Sequence, residues 1–135
     1  MKLLKHANVY TPAPLGKRDV LIEGERILRI AEEITGYDEL PDVDVYDLSG
    51  KTLVPAYIDL HVHITGGGGE QGPASRVPES SLSTFFKNGI TTVVGLLGTD
   101  GITRSLENLV AKARALTEEG MTVYTSVSYT HLRAH

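Results

Sequence analysis

Val54-Pro55-Ala56-Tyr57-Ile58-Asp59-Leu60-His61-Val62-His63-Ile64, running into Thr65-Gly66-Gly67-Gly68-Gly69-Glu70, is the stretch that decides the fold. It continues a β-like run that starts at Thr52, made irregular by Pro55, which cannot donate to a ladder. In a regular strand residues i and i+2 share a face, so Asp59, His61 and His63 point the same way. Two imidazoles so spaced can converge on one ion, and neutral imidazole is a good ligand for zinc and similar metals. The pair is an incomplete set, since catalytic zinc takes three protein ligands and a water. The competing reading is two polar residues on the exposed face of an edge strand. Context favours the site: the pair ends an apolar strand, and the glycines follow at the C-terminal end, where parallel α/β folds build their sites. Asp59 is either an acceptor that orients an imidazole or part of a hydrogen-bonded network below it.

Outward from this stretch the text alternates. Residues 79–88 have helical spacing, with Leu82, Phe85 and Phe86 apolar and Gly89 at the C′ position. Residues 90–97 form a continuous apolar run, as in a strand buried on both faces. A second helix starts at Thr103 or Ser105 and ends at Glu119, with Leu106, Leu109, Val110, Ala113 and Leu116 on one stripe. A third strand begins at Met121. Strand, loop, helix, strand, helix, strand predicts a parallel sheet, open or closed into a barrel. A full (β/α)8 barrel takes roughly 250 residues, so a barrel would be represented by its first three strands. The first 50 residues read instead as a small antiparallel sheet, with a hairpin at Glu23-Gly24-Glu25 and no obvious chemistry; His6 there reads as structural.

The 135 residues are 41% hydrophobic and 22% charged, which fits a folded chain rather than a disordered one. A formal charge of −4 with no basic run argues against nucleic acid as a partner. The absence of cysteine excludes disulfides and thiol chemistry. No apolar stretch approaches the roughly 20 residues of a membrane span, and the apolar stretch at the N-terminus is too short for a signal peptide, so the expected location is the cytoplasm, with no membrane partner.

Residues 66–69 are either a flexible linker or a loop that brings backbone N–H groups close to a ligand. No Gly-Lys-Ser or Gly-Lys-Thr follows, so the loop is not a P-loop. Glu70 could hold a substrate ammonium or be a solvated loop carboxylate. Thr99, after the second parallel strand, lies at the same end as the histidines and could hydrogen-bond substrate. Asp100 reads as a cap for the following helix, with Thr103 as the other choice. His131 and His135 have Leu132 where a zinc-protease helix needs Glu, and read as incidental.

Residues 54–63 resemble the Pro-Gly-(Phe/Leu)-Ile-Asp-x-His-x-His signature of the amidohydrolase superfamily, with Ala56 in place of the glycine. Gly66-Gly67-Gly68-Gly69-Glu70-x-Gly72-Pro73, Gly89-Ile90-Thr91-Thr92-Val93-Val94-Gly95-Leu96-Leu97-Gly98-Thr99-Asp100 and the stretch 109–120 are similar to the isoaspartyl (β-aspartyl) dipeptidases within it. The resemblance covers about residues 1–124. It implies an α/β chain in which part of a small β-sandwich domain (1–52) precedes the first β/α units of a TIM barrel (53–126). It also implies two zinc ions bridged by a carboxylated lysine and a hydroxide, the hydroxide attacking the β-aspartyl amide of a small dipeptide. Carried over by position, His61 and His63 would be metal ligands, and Gly68, Gly69, Glu70 and Thr99 would contact substrate, with Glu70 on its α-ammonium. The lysine, the later histidines and the catalytic base would lie past residue 135, so no catalytic residue is assigned and this stretch alone is expected to be inactive. The family implies a homo-oligomer at full length. From about Thr125 the text departs from the family, and 127–135 reads as a non-native tail. The alternatives are another amidohydrolase, such as a dihydroorotase-like cyclic amidase, and a non-catalytic α/β chain.

Overall fold

The computed structural model describes residues 1–100 and 103–126. His131 and His135 lie outside the described residues. The chain forms two compact units, Met1–Pro55 and a second from Ala56 onward.

The first unit is a five-stranded sheet. β1 (Lys2–Tyr10), β2 (Pro14–Glu23) and β3 (Arg26–Ala31) form an antiparallel meander, with Gly24 at φ +54° in the tight turn between β2 and β3. β4 (Asp44–Asp47) and β5 (Thr52–Leu53) then pair with β1 in parallel, on its free edge. The expected antiparallel sheet is therefore a mixed one. The chain leaves β3 and crosses to the far side of β1 before re-entering, so it arrives in the same direction as β1. Leu3, Leu21 and Ile34 form one core cluster, and Ala7, Val9 and Val20 another. Between them Asp19, 1% exposed, accepts the His6 N–H at 2.9 Å and the Ile34 N–H at 3.0 Å. Both oxygens are thereby satisfied, which is what makes a buried carboxylate tolerable. His6 sits at φ +63° where β1 breaks register, and its Nδ1 meets Asp47 at 3.0 Å.

The second unit is a three-stranded parallel sheet, β6 (Tyr57–Val62), β7 (Ile90–Gly95) and β8 (Thr122–Thr125), in chain order. α1 (Leu82–Phe86) and α2 (Leu106–Glu118) lie between consecutive strands in the chain. Ile64, Phe85, Val93, Leu97, Leu109, Leu116 and Met121 make its core. The alternation read from the sequence is present, with three adjustments. The run from Thr52 divides: Thr52 and Leu53 belong to the first sheet, and the chain restarts as β6 only at Tyr57, after a proline with no N–H to pair. α1 is shorter than residues 79–88, because its N-terminal cap position is Ser81. α2 is capped by Ser105, whose Oγ accepts the Asn108 N–H at 3.2 Å, and not by Asp100.

Candidate active site

The strand ends of the second unit gather the candidate residues. Asp59 pairs with Val93 and Val62 with Gly95, so β6 spends one more residue than β7 over that span. This bulge ends the ladder, as bulges do beside functional sites. The Asp59 carboxylate takes the His61 backbone N–H at 3.1 Å, so it holds the bulged chain. Of the two sequence readings of Asp59, an acceptor for an imidazole or part of a hydrogen-bonded network below it, the bond found, to backbone, is of the second kind. Leu96 N–H then donates to Val62 O at 2.8 Å, fixing the segment just before His63.

The rings of His61 and His63 meet edge to face, with centroids 5.3 Å apart and planes at 85°. His61 is exposed and His63 half-buried. Gly67 and Gly98 turn their Cβ directions toward the His63 ring. A Cβ on Gly67 would stand 3.5 Å from its Cδ2, and one on Gly98 3.7 Å from its Cγ. The Nδ1 of His63 is buried and has no hydrogen-bond partner among the described residues.

The glycine loop is ordered by its own carbonyls. Gly66 N–H donates to His63 O at 2.9 Å, and Val77 N–H to Gly67 O at 2.8 Å. Gly66 and Gly68 have φ of +88° and +69°, and a Cβ on either would collide with the carbonyl of Val77 or Ser75. Of the two sequence readings of residues 66–69, the flexible linker is thus replaced by a folded loop. A Cβ on Gly69 would stand 3.5 Å from Arg76 Cγ and 3.9 Å from Asp100 Cβ. At the end of the run Glu70 accepts a hydrogen bond from the Thr99 hydroxyl at 2.8 Å. That bond, first, then a backbone hydrogen bond at Glu70 and the proximity of His63, hold the Glu70 carboxyl below the ordinary glutamate range. The structure therefore brings Gly68, Gly69, Glu70 and Thr99 to the strand end that carries His61 and His63.

Two neighbours are not evident from the sequence. Arg104, 4% exposed, donates from Nε to Thr65 O at 2.9 Å and from a terminal nitrogen to Val77 O at 3.0 Å. Asp100 receives the Thr103 N–H at 3.0 Å and the Thr103 hydroxyl, and pairs with Arg76 and Arg104, each at 3.4 Å. Its role as a helix cap is replaced by this network. The only sequence signal is an Asp and an Arg at i, i+4 after a strand.

The two histidines fit part of a metal site. Imidazoles sharing one tetrahedral ion at about 2.0–2.1 Å place their centroids about 5 Å apart, close to the 5.3 Å found. An orphaned buried nitrogen on His63 suits the same role. Among the described residues no group of three or more His, Asp and Glu side chains could hold an ion, so the pair is a partial donor set.

Comparison with known proteins gives the following likenesses. No family model matches the chain. Two crystal structures of the β-aspartyl dipeptidase from Fervidobacterium islandicum AW-1, one in complex with β-Asp-Leu dipeptide, are 47% and 46% identical, with TM-scores of 0.83 and 0.81. Each match covers 92% of this chain and 32% or 34% of the dipeptidase. Dihydroorotases from Staphylococcus aureus and Staphylococcus epidermidis are 32% and 28% identical over 111 and 109 residues. This chain spans about a quarter of their length, 25% and 24%. A D-hydantoinase from Thermus sp., 22% identical with a TM-score of 0.62 over 98% of this chain, shares the fold. By sequence and fold the chain is similar to the N-terminal part of TIM-barrel enzymes of the amidohydrolase superfamily. Of these likenesses, the one at 46–47% identity is to β-aspartyl dipeptidases. No helix among the described residues is long and apolar enough to cross a membrane.

Proposed function

We propose that this chain supplies the N-terminal part of a metal-dependent β-aspartyl dipeptidase site. The observation that carries the reading is the Thr99–Glu70 hydrogen bond, 2.8 Å long, at the strand end where His61 and His63 meet. His61 and His63 would hold zinc, as two of the ligands of a two-ion site. When bound, such ions polarise an amide carbonyl and activate water.

The chain's own residues bind and orient. A β-aspartyl dipeptide keeps a free α-ammonium, and Glu70 is an ionised acceptor for it. The Thr99 hydroxyl occupies one lone pair of Glu70 and so fixes the direction of the others. Gly68 and Gly69 would contact substrate through their backbone, in a loop whose fold the missing Cβ of Gly68 permits by leaving room for the Ser75 carbonyl. A cytoplasmic homo-oligomer acting on small dipeptides completes the proposal.

The second reading, a dihydroorotase-like cyclic amidase, is favoured by the curated relatives. Dihydroorotate is an anion without an ammonium, which is a poor partner for an ionised Glu70. The two are separated by replacing the matched third of the Fervidobacterium islandicum dipeptidase with residues 1–126. The chimera should cleave β-Asp-Leu and leave dihydroorotate untouched. Glu70→Gln in it should lower kcat/KM for β-Asp-Leu by about 1.5–3 kcal/mol, roughly ten- to a hundredfold. An equal loss on an amine-blocked dipeptide would remove Glu70 from that role.

A further inference from the structure

We infer that Arg104 is a positioning residue, which pins both ends of the glycine loop to the tail of β7 and thereby sets Glu70 against Thr99. The loop begins after Thr65, past the end of β6, and closes where Val77 bridges back to Gly67, and the same guanidinium binds the carbonyls of Thr65 and Val77. Its third contact, 3.4 Å to Asp100, reaches the residue next to Thr99. The three contacts thus join the two segments that carry the two partners of the Glu70–Thr99 bond. Arg104 is 4% exposed, and burying a guanidinium is costly unless its donors are satisfied. Here a carboxylate and two backbone carbonyls engage three of its five N–H donors, one on each nitrogen. The planar fork suits this task, because its donors diverge at fixed angles; a lysine ammonium concentrates its donors at one point. The loop has adapted to the fork as well, since a Cβ on Gly66 would approach a terminal nitrogen of Arg104 to 3.0 Å. Arg104 touches neither Glu70 nor Thr99 in any hydrogen bond described above, so its influence on them runs through the loop stem.

The functional meaning rests on the reading of Glu70 as the amine acceptor; the structural part does not, and it is tested without substrate. Amide hydrogen exchange and backbone chemical shifts are measured by NMR on the full chain, as wild type, Arg104→Lys and Thr99→Val. In the wild type, the Gly66 and Val77 amides should be protected. In Arg104→Lys both should exchange at least about tenfold faster, while Val93 and Val94 in β7 keep their rates. The Glu70 amide resonance should move in the same direction in Arg104→Lys as in Thr99→Val, which removes the Glu70–Thr99 bond directly. A role confined to the stem would shift Gly66 and Val77 and leave Glu70 in place, and would overturn the inference. Unprotected Gly66 and Val77 amides in the wild type, which needs no variant to fold, would overturn it too. Loss of dipeptidase activity in the chimera with these results intact would refute the proposed function and spare the role of Arg104.

Discussion

The Thr99 hydroxyl donates to Glu70 at 2.8 Å, tying the end of β7 to the end of the glycine loop. This bond is the first cause of the lowered Glu70 carboxyl. A carboxylate whose folded value lies below its unfolded one contributes stability above the unfolded value and loses it as pH falls through the folded value. Thr99→Val should therefore raise the Glu70 titration toward the ordinary glutamate range, read by carboxyl NMR. An unmoved midpoint would mean that the bond is not made in solution.

The glycines of the loop differ from those of ordinary turns in what surrounds them. A Cβ on Gly68 (φ +69°) would meet the Ser75 carbonyl, whereas one on Gly24 (φ +54°), in the β2–β3 turn, would have nothing within 4 Å. Gly24→Ala should cost about 1–2 kcal/mol, the strain of left-handed backbone alone. Gly68→Ala adds a backbone collision and should cost about 3 kcal/mol or more. Denaturant melts compare them, and equal losses would contradict the packing described.

In the first unit Asp47 titrates at about 2, held down first by the Ser49 hydroxyl and then by the His6 ring. Its stabilising effect should be complete above about pH 4, the ordinary aspartate value, and fade as pH falls toward 2. Ser49→Ala should move the Asp47 midpoint upward and narrow that window. A midpoint unchanged by Ser49→Ala would leave the shift without its leading cause.

Much of the site is legible in the sequence because side-chain identity carries it. His61 and His63 are marked by spacing, Glu70 by its place at the end of the glycine run, and Thr99 by its place after the second parallel strand. The direct contact of Glu70 with Thr99 is not legible, since it depends on how the loop folds back. Arg104 is hidden for a related reason: its main partners are the carbonyls of Thr65 and Val77, and a backbone carbonyl has no sequence signature. The sequence leaves Asp59 with two readings because the period of two assumes a regular strand, and β6 bulges after that residue. In the first unit the hairpin turn is readable from Gly24, but the parallel return of β4 and β5 beside β1 is not. A crossing of that kind is set by long-range packing of Leu3, Leu21 and Ile34 and leaves no local pattern.

Metal content of the chimera, measured by elemental analysis after dialysis, bears most directly on the paired histidines. The chimera carrying residues 1–126 should retain tightly bound zinc, and His61→Ala with His63→Ala should lose it together with β-Asp-Leu hydrolysis while keeping the folded circular dichroism spectrum. Metal content unchanged by the double substitution would contradict the account.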